Sequence, residues 1–218
     1  MIKKLWPGIL AILAAAAFGL AVRGRLPQQV ASHWGADGQV NGWSSRNFLV
    51  LFVPAIGLVM AVVLSVAPTL DPKRRNFPLH ARAYWVITNA LLVFLAAVQV
   101  LVLGYNLGWK VDFSAVLGIG IGCLFILLGN LLTRVRPNWI MGIRTPWTLS
   151  SDRAWRETHR VGGYTFVAVG LATLVTGLAW PGVVHIVMLV GVGFTVLLSV
   201  GWSYFAWKRD PDAQGRDA

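Results

Sequence analysis

The chain has 218 residues, 56% of them hydrophobic and only 12% charged, with a net charge of +11 from 19 Lys and Arg against 8 Asp and Glu. A soluble domain is about half apolar but about a quarter charged. Half that charge cannot cover a water-exposed surface, so an ordinary soluble fold is excluded. In a soluble protein so basic a balance would point to nucleic acid. Here the cations lie between apolar blocks, where the positive-inside bias and anionic headgroups account for them, and no direct nucleic-acid contact is expected.

A bilayer core about 30 Å thick needs roughly 20 apolar residues per helix, and the chain supplies six such blocks. The first runs from Leu5 to Val22 behind Lys3-Lys4. A basic start and small residues near Ala21 also fit a secretory signal peptide, but about 18 apolar residues exceed the usual h-region of about 7–15, so a retained helix is expected. The second covers Phe48 to Ala67, with Pro54 in its first half and Pro68 and Asp71-Pro72 as its stop. The third covers Tyr84 to Leu107 and the fourth Phe113 to Leu132, joined by a short turn. The fifth runs from Val161 to Trp180, and Pro181-Gly182 turns the chain into a sixth that ends near Trp207.

Orientation follows from counting cations on alternate sides. The N-terminus, the second loop, the fourth loop and the tail share one side and hold all Lys and Arg except Arg23, Arg25, Arg46 and Lys110. Translocating Lys or Arg is disfavoured, so the rich side is expected to be cytoplasmic and both termini inside. The expected fold is an all-α membrane protein, a bundle of about six transmembrane helices in the cell membrane, with one ordered outer loop and one basic cytoplasmic loop. It divides into an N-terminal membrane domain, residues 1–112, and a second of three spans, residues 113–218.

Within the six spans there is no Asp, Glu, Lys or Arg. Proton-coupled carriers and pumps usually need such groups in the membrane, so neither is expected. His185 reads as an interfacial side chain. The amides Asn89, Gln99 and Asn130 must find partners in hydrocarbon and read as interhelical glue, and Gly118 and Gly122 permit close helix approach. Gly118 to Gly122 also mimics a nucleotide-binding loop, but that fingerprint needs a preceding strand in a βαβ unit. Cys123 is the single cysteine, so no intrachain disulfide forms. No cofactor, metal site or catalytic residue is expected.

Two loops exceed what chain reversal requires. The outer loop, residues 23–47, contains Asp37-Gly38 and Asn41-Gly42, both strong turn pairs, and is expected to form a compact cap or small hairpin. His33 and Asp37 are two metal-ligand types without a third, a weak signal. The cytoplasmic loop, residues 133–160, carries six arginines. Ser151 reads as an N-cap with Asp152 at the positive helix start. The following stretch sets Trp155 and His159 one turn apart and is expected to lie flat in the interface. A basic anchor alone would need neither Pro146 nor the tryptophans Trp139, Trp147 and Trp155, so a shaped element is expected.

Asn138-Trp139, Gly142-Ile143-Arg144-Thr145-Pro146-Trp147-Thr148-Leu149 and the continuation Trp155, Thr158, His159 and Arg160 resemble the cytoplasmic motif of the SdpI family of bacterial membrane proteins. Leu26-Pro27, His33-Trp34, Gly38 and Gly42-Trp43 resemble the domain of unknown function that commonly precedes it, with Trp34 where Phe is more usual. The resemblance implies an immunity and signalling protein without catalytic activity. Its implied partners are the lipid bilayer, an extracellular peptide toxin and a cytoplasmic transcriptional repressor held at the membrane. The alternative is a membrane enzyme or carrier for an amphiphile at the cytoplasmic interface, with Arg144, Arg153, Arg156, Arg160 and His159 around a phosphate headgroup. The sequence offers it no nucleophile–base pair. A structural protein sensing lipid packing is a third reading.

Overall fold

A computed structural model describes residues 1–35 and 38–214. Among these, six helices are long and apolar enough to cross a membrane, so the chain is a multi-pass, all-α membrane protein. In order they are α1 (Trp6–Val22), α2 (Arg46–Leu70), α3 (Phe77–Asn106), α4 (Phe113–Leu132), α6 (Asp152–Ala179) and α7 (Val184–Lys208), with a short α5 (Pro146–Ser150) before α6. A two-stranded antiparallel hairpin, β1 (Gln29–Trp34) and β2 (Val40–Ser45), sits between α1 and α2.

Several boundaries differ from those read in the sequence. α2 runs through Pro68 and stops only before Asp71. α3 begins at Phe77 rather than near Tyr84, and α6 begins at Asp152 rather than Val161. Apolar length finds what lies in hydrocarbon, whereas a helix continues past the bilayer wherever caps and neighbours support it. The stretch containing Trp155 and His159 therefore does not lie flat in the interface. It is the first part of α6, with Trp155, Thr158 and His159 buried.

α1 packs on α2 and α3, α6 packs on both α4 and α7, and α3 meets α4. The α1–α3 group is held by Leu5, Ile12, Ala15, Ala61, Leu92 and Ala96. The α4–α6 contact has a different basis. Gly122 faces Gly170 and Gly129 faces Gly163, and a Cβ at any of the four would lie 2.6–2.8 Å from the opposing glycine's carbonyl oxygen. In each helix the two glycines are two turns apart on one stripe, so the backbones touch with no side chain between them. Without a hydrophobic force between helices in lipid, such close packing supplies the attraction.

The embedded amides act in two ways. Asn89 accepts from the Gly8 N–H at 2.9 Å and donates to the Lys4 carbonyl at 2.9 Å, tying α1 to α3. Gln99 donates to the Leu49 carbonyl at 3.0 Å, tying α3 to α2. Asn130 is not glue: it is exposed and donates to Ile126 in its own helix at 2.8 Å.

Candidate functional site

At one end of the bundle the hairpin is fastened to the helices. Asn106, in the last turn of α3, accepts from the Ala31 N–H at 2.7 Å and donates to the Ala31 carbonyl at 2.9 Å. Both backbone groups of one strand residue are thereby satisfied on the face away from β2. Trp34 stacks on Phe113 with centroids 3.8 Å apart and meets Tyr105 edge-on at 5.1 Å. Leu26, Val30 and Ala31 are buried. Gly42 lies against His33, whose Cβ would be 2.8 Å from any Cβ at that position, and the His33 imidazole bonds the Asn41 side chain across the strands. Gly38 adopts a φ of +75° in the turn. Pro27, His33 and Trp43 are exposed. Asp37, the second ligand type considered with His33, lies outside the described residues.

The arginine-rich end is built around His159. Its Nδ1 donates to the Trp155 carbonyl at 2.8 Å and its Nε2 accepts from the Ile143 N–H at 3.1 Å. One nitrogen donates and the other accepts, the pattern of a neutral imidazole. The ring stacks on Trp155 at 4.1 Å, and the Trp155 indole donates to the Val135 carbonyl at 2.9 Å. His159 thus holds the preceding loop to α6 and has no free nitrogen for acid–base work. Gly142 lies against the Nε2 edge of the ring with a φ of +108°, and a Cβ there would sit 2.3 Å from Nε2.

The rest of the motif is a set of turn-forming bonds. Buried Asn138 accepts from the N–H groups of Ile140 and Met141, both at 2.8 Å, and donates to the Arg136 carbonyl. Thr145 and Thr148 form a reciprocal capping box at the start of α5, where Pro146 supplies a preset φ and needs no donor. Thr145 also donates to Ser203 of α7 at 3.0 Å, and Trp147 meets Tyr204 of α7 edge-on. Ser151 caps α6 by accepting from the Ala154 N–H at 2.9 Å, as its sequence position implied, and donates to Asp210 beyond α7. Arg144 is exposed and donates to the Trp139 carbonyl. Thr158 is fully buried with its hydroxyl unpartnered. Arg160 is exposed and turned toward a neighbouring cleft.

Asp71 and Asn76 join this loop to the one between α2 and α3. Asp71 accepts from the Trp139 N–H at 3.0 Å and from the Lys73 N–H at 2.7 Å, and Asn76 donates to the Pro137 carbonyl at 2.8 Å. In the sequence Asp71 reads only as part of a helix stop, because its partner is far along the chain.

Residues 134–203 match the SdpI/YfhL protein family, and residues 10–58 match a domain of unknown function, DUF1648. The chain's arginine-rich half thus resembles the SdpI family. The chain is 23% identical over 184 residues to Immunity protein SdpI of Bacillus subtilis (strain 168), covering 84% of this chain and 86% of that protein. No solved structure matches it. The SdpI segment contains the His159 assembly, α5, α6 and most of α7, and the DUF1648 segment contains the hairpin with most of α1 and the first half of α2.

Proposed function

We propose that the chain is an immunity protein of the membrane, protecting its cell against an extracellular peptide toxin and reporting on it to a cytoplasmic repressor. The observation that carries this reading is the similarity to an immunity protein over most of both chains, with family matches that fall on the hairpin and on the His159 assembly. The arginine-rich end faces the cytoplasm and the hairpin faces outward, as the cost of translocating cations requires. The division is at residues 112–113, a hairpin-bearing domain followed by an arginine-bearing one.

The geometry supports a role for α3 as the link. It is a continuous helix of 30 residues, about 45 Å long at 1.5 Å per residue. At one end Asn106 holds the hairpin, and just before its other end Asn76 holds the Pro137 segment. A toxin that binds the hairpin differently in two positions of α3 would shift the inner loop by that difference in affinity. No catalytic step is part of the reading, and His159 is structural.

The test is deletion of the gene in its own host, followed by challenge with a panel of secreted amphipathic peptides. Sensitivity to at least one peptide is expected, with rescue by the intact gene. Unchanged sensitivity across the panel would sink the reading.

A further inference from the structure

One feature at the arginine-rich end is not used by the assembly around His159. Arg153, Arg156 and Arg160 lie on one face of α6, spaced three and four residues apart. Arg134 and Arg136 come from the segment after α4, and all five line a single cleft of about 950 Å³. Its one acidic residue, Glu157, is held by Arg153 at 2.9 Å. Arg153 also donates to the Arg209 carbonyl at 3.0 Å. Among the described residues, the guanidinium groups of Arg134, Arg136, Arg156 and Arg160 donate to no protein acceptor. Retention of cations on the cytoplasmic side explains arginines at this end. It does not explain their convergence, since Arg74, Arg75 and Arg82 share the end and lie outside the cleft.

The cleft is amphiphilic. Tyr164 follows Arg160 by one turn and Val167 by two, where the apolar run of α6 begins, and exposed Leu79 of α3 stands across from them. Guanidinium groups line one part of it, and the side chains of Leu79, Tyr164 and Val167 line another. Unpaired like charges repel one another, and a bound phosphate relieves that repulsion through bidentate, charge-assisted hydrogen bonds.

We infer that this cleft binds a phosphate-bearing anion, and that its Leu79–Tyr164–Val167 wall selects the headgroup and upper acyl chains of an anionic phospholipid. The site is independent of any toxin. It would anchor α6, and with it the His159 assembly, to the lipid leaflet.

The test reconstitutes the full chain in phosphatidylcholine nanodiscs doped with phosphatidylglycerol and counts lipid retained after detergent extraction by native mass spectrometry. The wild type is expected to enrich phosphatidylglycerol over its bulk fraction. The double variant Arg156→Gln/Arg160→Gln should lower that enrichment roughly tenfold, the equivalent of one charge-assisted bond. Arg144→Gln, outside the cleft, should leave it unchanged. If the glutamine pair fails to fold, Arg156→Lys/Arg160→Lys keeps the charge and should lose a few-fold, because an ammonium lacks the planar fork. Soluble glycerol 3-phosphate at equal concentration should not displace the lipid. Three results would overturn the inference: equal enrichment in wild type and both double variants, equal loss with Arg144→Gln, or full displacement by glycerol 3-phosphate.

Discussion

The contact between Gly142 and His159 shows how one residue can decide whether a loop forms. The imidazole has no spare nitrogen, and its Nε2 is reached by the Ile143 N–H only because residue 142 has no Cβ to block it. A Gly142→Ala change meets two costs, a φ of +108° that L residues rarely adopt and a methyl 2.3 Å from the ring nitrogen. The first costs about 1–2 kcal/mol, and losing the Ile143 bond adds about 1 kcal/mol. The variant is therefore expected to unfold about 2–3 kcal/mol more readily. Denaturant titration of the purified protein in micelles would measure this, with wild-type stability the contrary result. Of the motif residues read from the sequence, the structure gathers Asn138, Gly142, Thr145, Pro146, Trp155 and His159 into one bonded unit. Arg144 and Trp139 lie at its rim, joined to each other.

Among the described elements, α4 and α6 pack through facing glycines whose backbones touch. At Gly170 a Cβ would lie 2.8 Å from both the Gly122 carbonyl oxygen and the Ile126 nitrogen, and backbone cannot swing aside as a side chain can. Gly170→Ala should force the helices apart, at about 1–3 kcal/mol for an overpacked site. Gly193→Ala on α7 provides the control, because nothing lies within 4 Å of a Cβ there. It should be neutral, or stabilising by up to about 1 kcal/mol through helix propensity. Comparing the two unfolding midpoints in one micelle checks the claim, and equal effects would contradict it. The six spans were legible in the sequence because hydropathy needs only the thickness of a bilayer. The glycine stripe was half legible. Gly118 and Gly122 show the small-residue spacing, whereas Gly163 and Gly170 gain meaning only when α6 is known to lie antiparallel to α4. Asn106, Asp71 and Asn76 were illegible as fasteners, since each bonds a backbone group at least 60 positions away.

For the whole molecule the decisive quantity is which end lies in the cytoplasm. All six helices obey one ordering, so fixing any loop fixes the rest. The hairpin end carries Arg23, Arg25, Arg46 and Lys110, and of these Arg23 is bonded to Asn47 and Arg46 to the Leu26 carbonyl. The other end carries the remaining cations of the described residues, including the five of the cleft. Moving that end across the bilayer would cost far more than moving the hairpin end. Cysteine labelling tests the placement in a Cys123→Ala background, which removes the single native thiol. Ser150 and Lys110 are exposed at opposite ends. With a membrane-impermeant maleimide on intact cells, Lys110→Cys is expected to react and Ser150→Cys to react only after permeabilisation. The reverse pattern would invert the molecule, placing the His159 assembly outside and the hairpin within reach of the cytoplasm. Both the outer toxin contact and the inner report would then have to be abandoned, although the fold itself would stand.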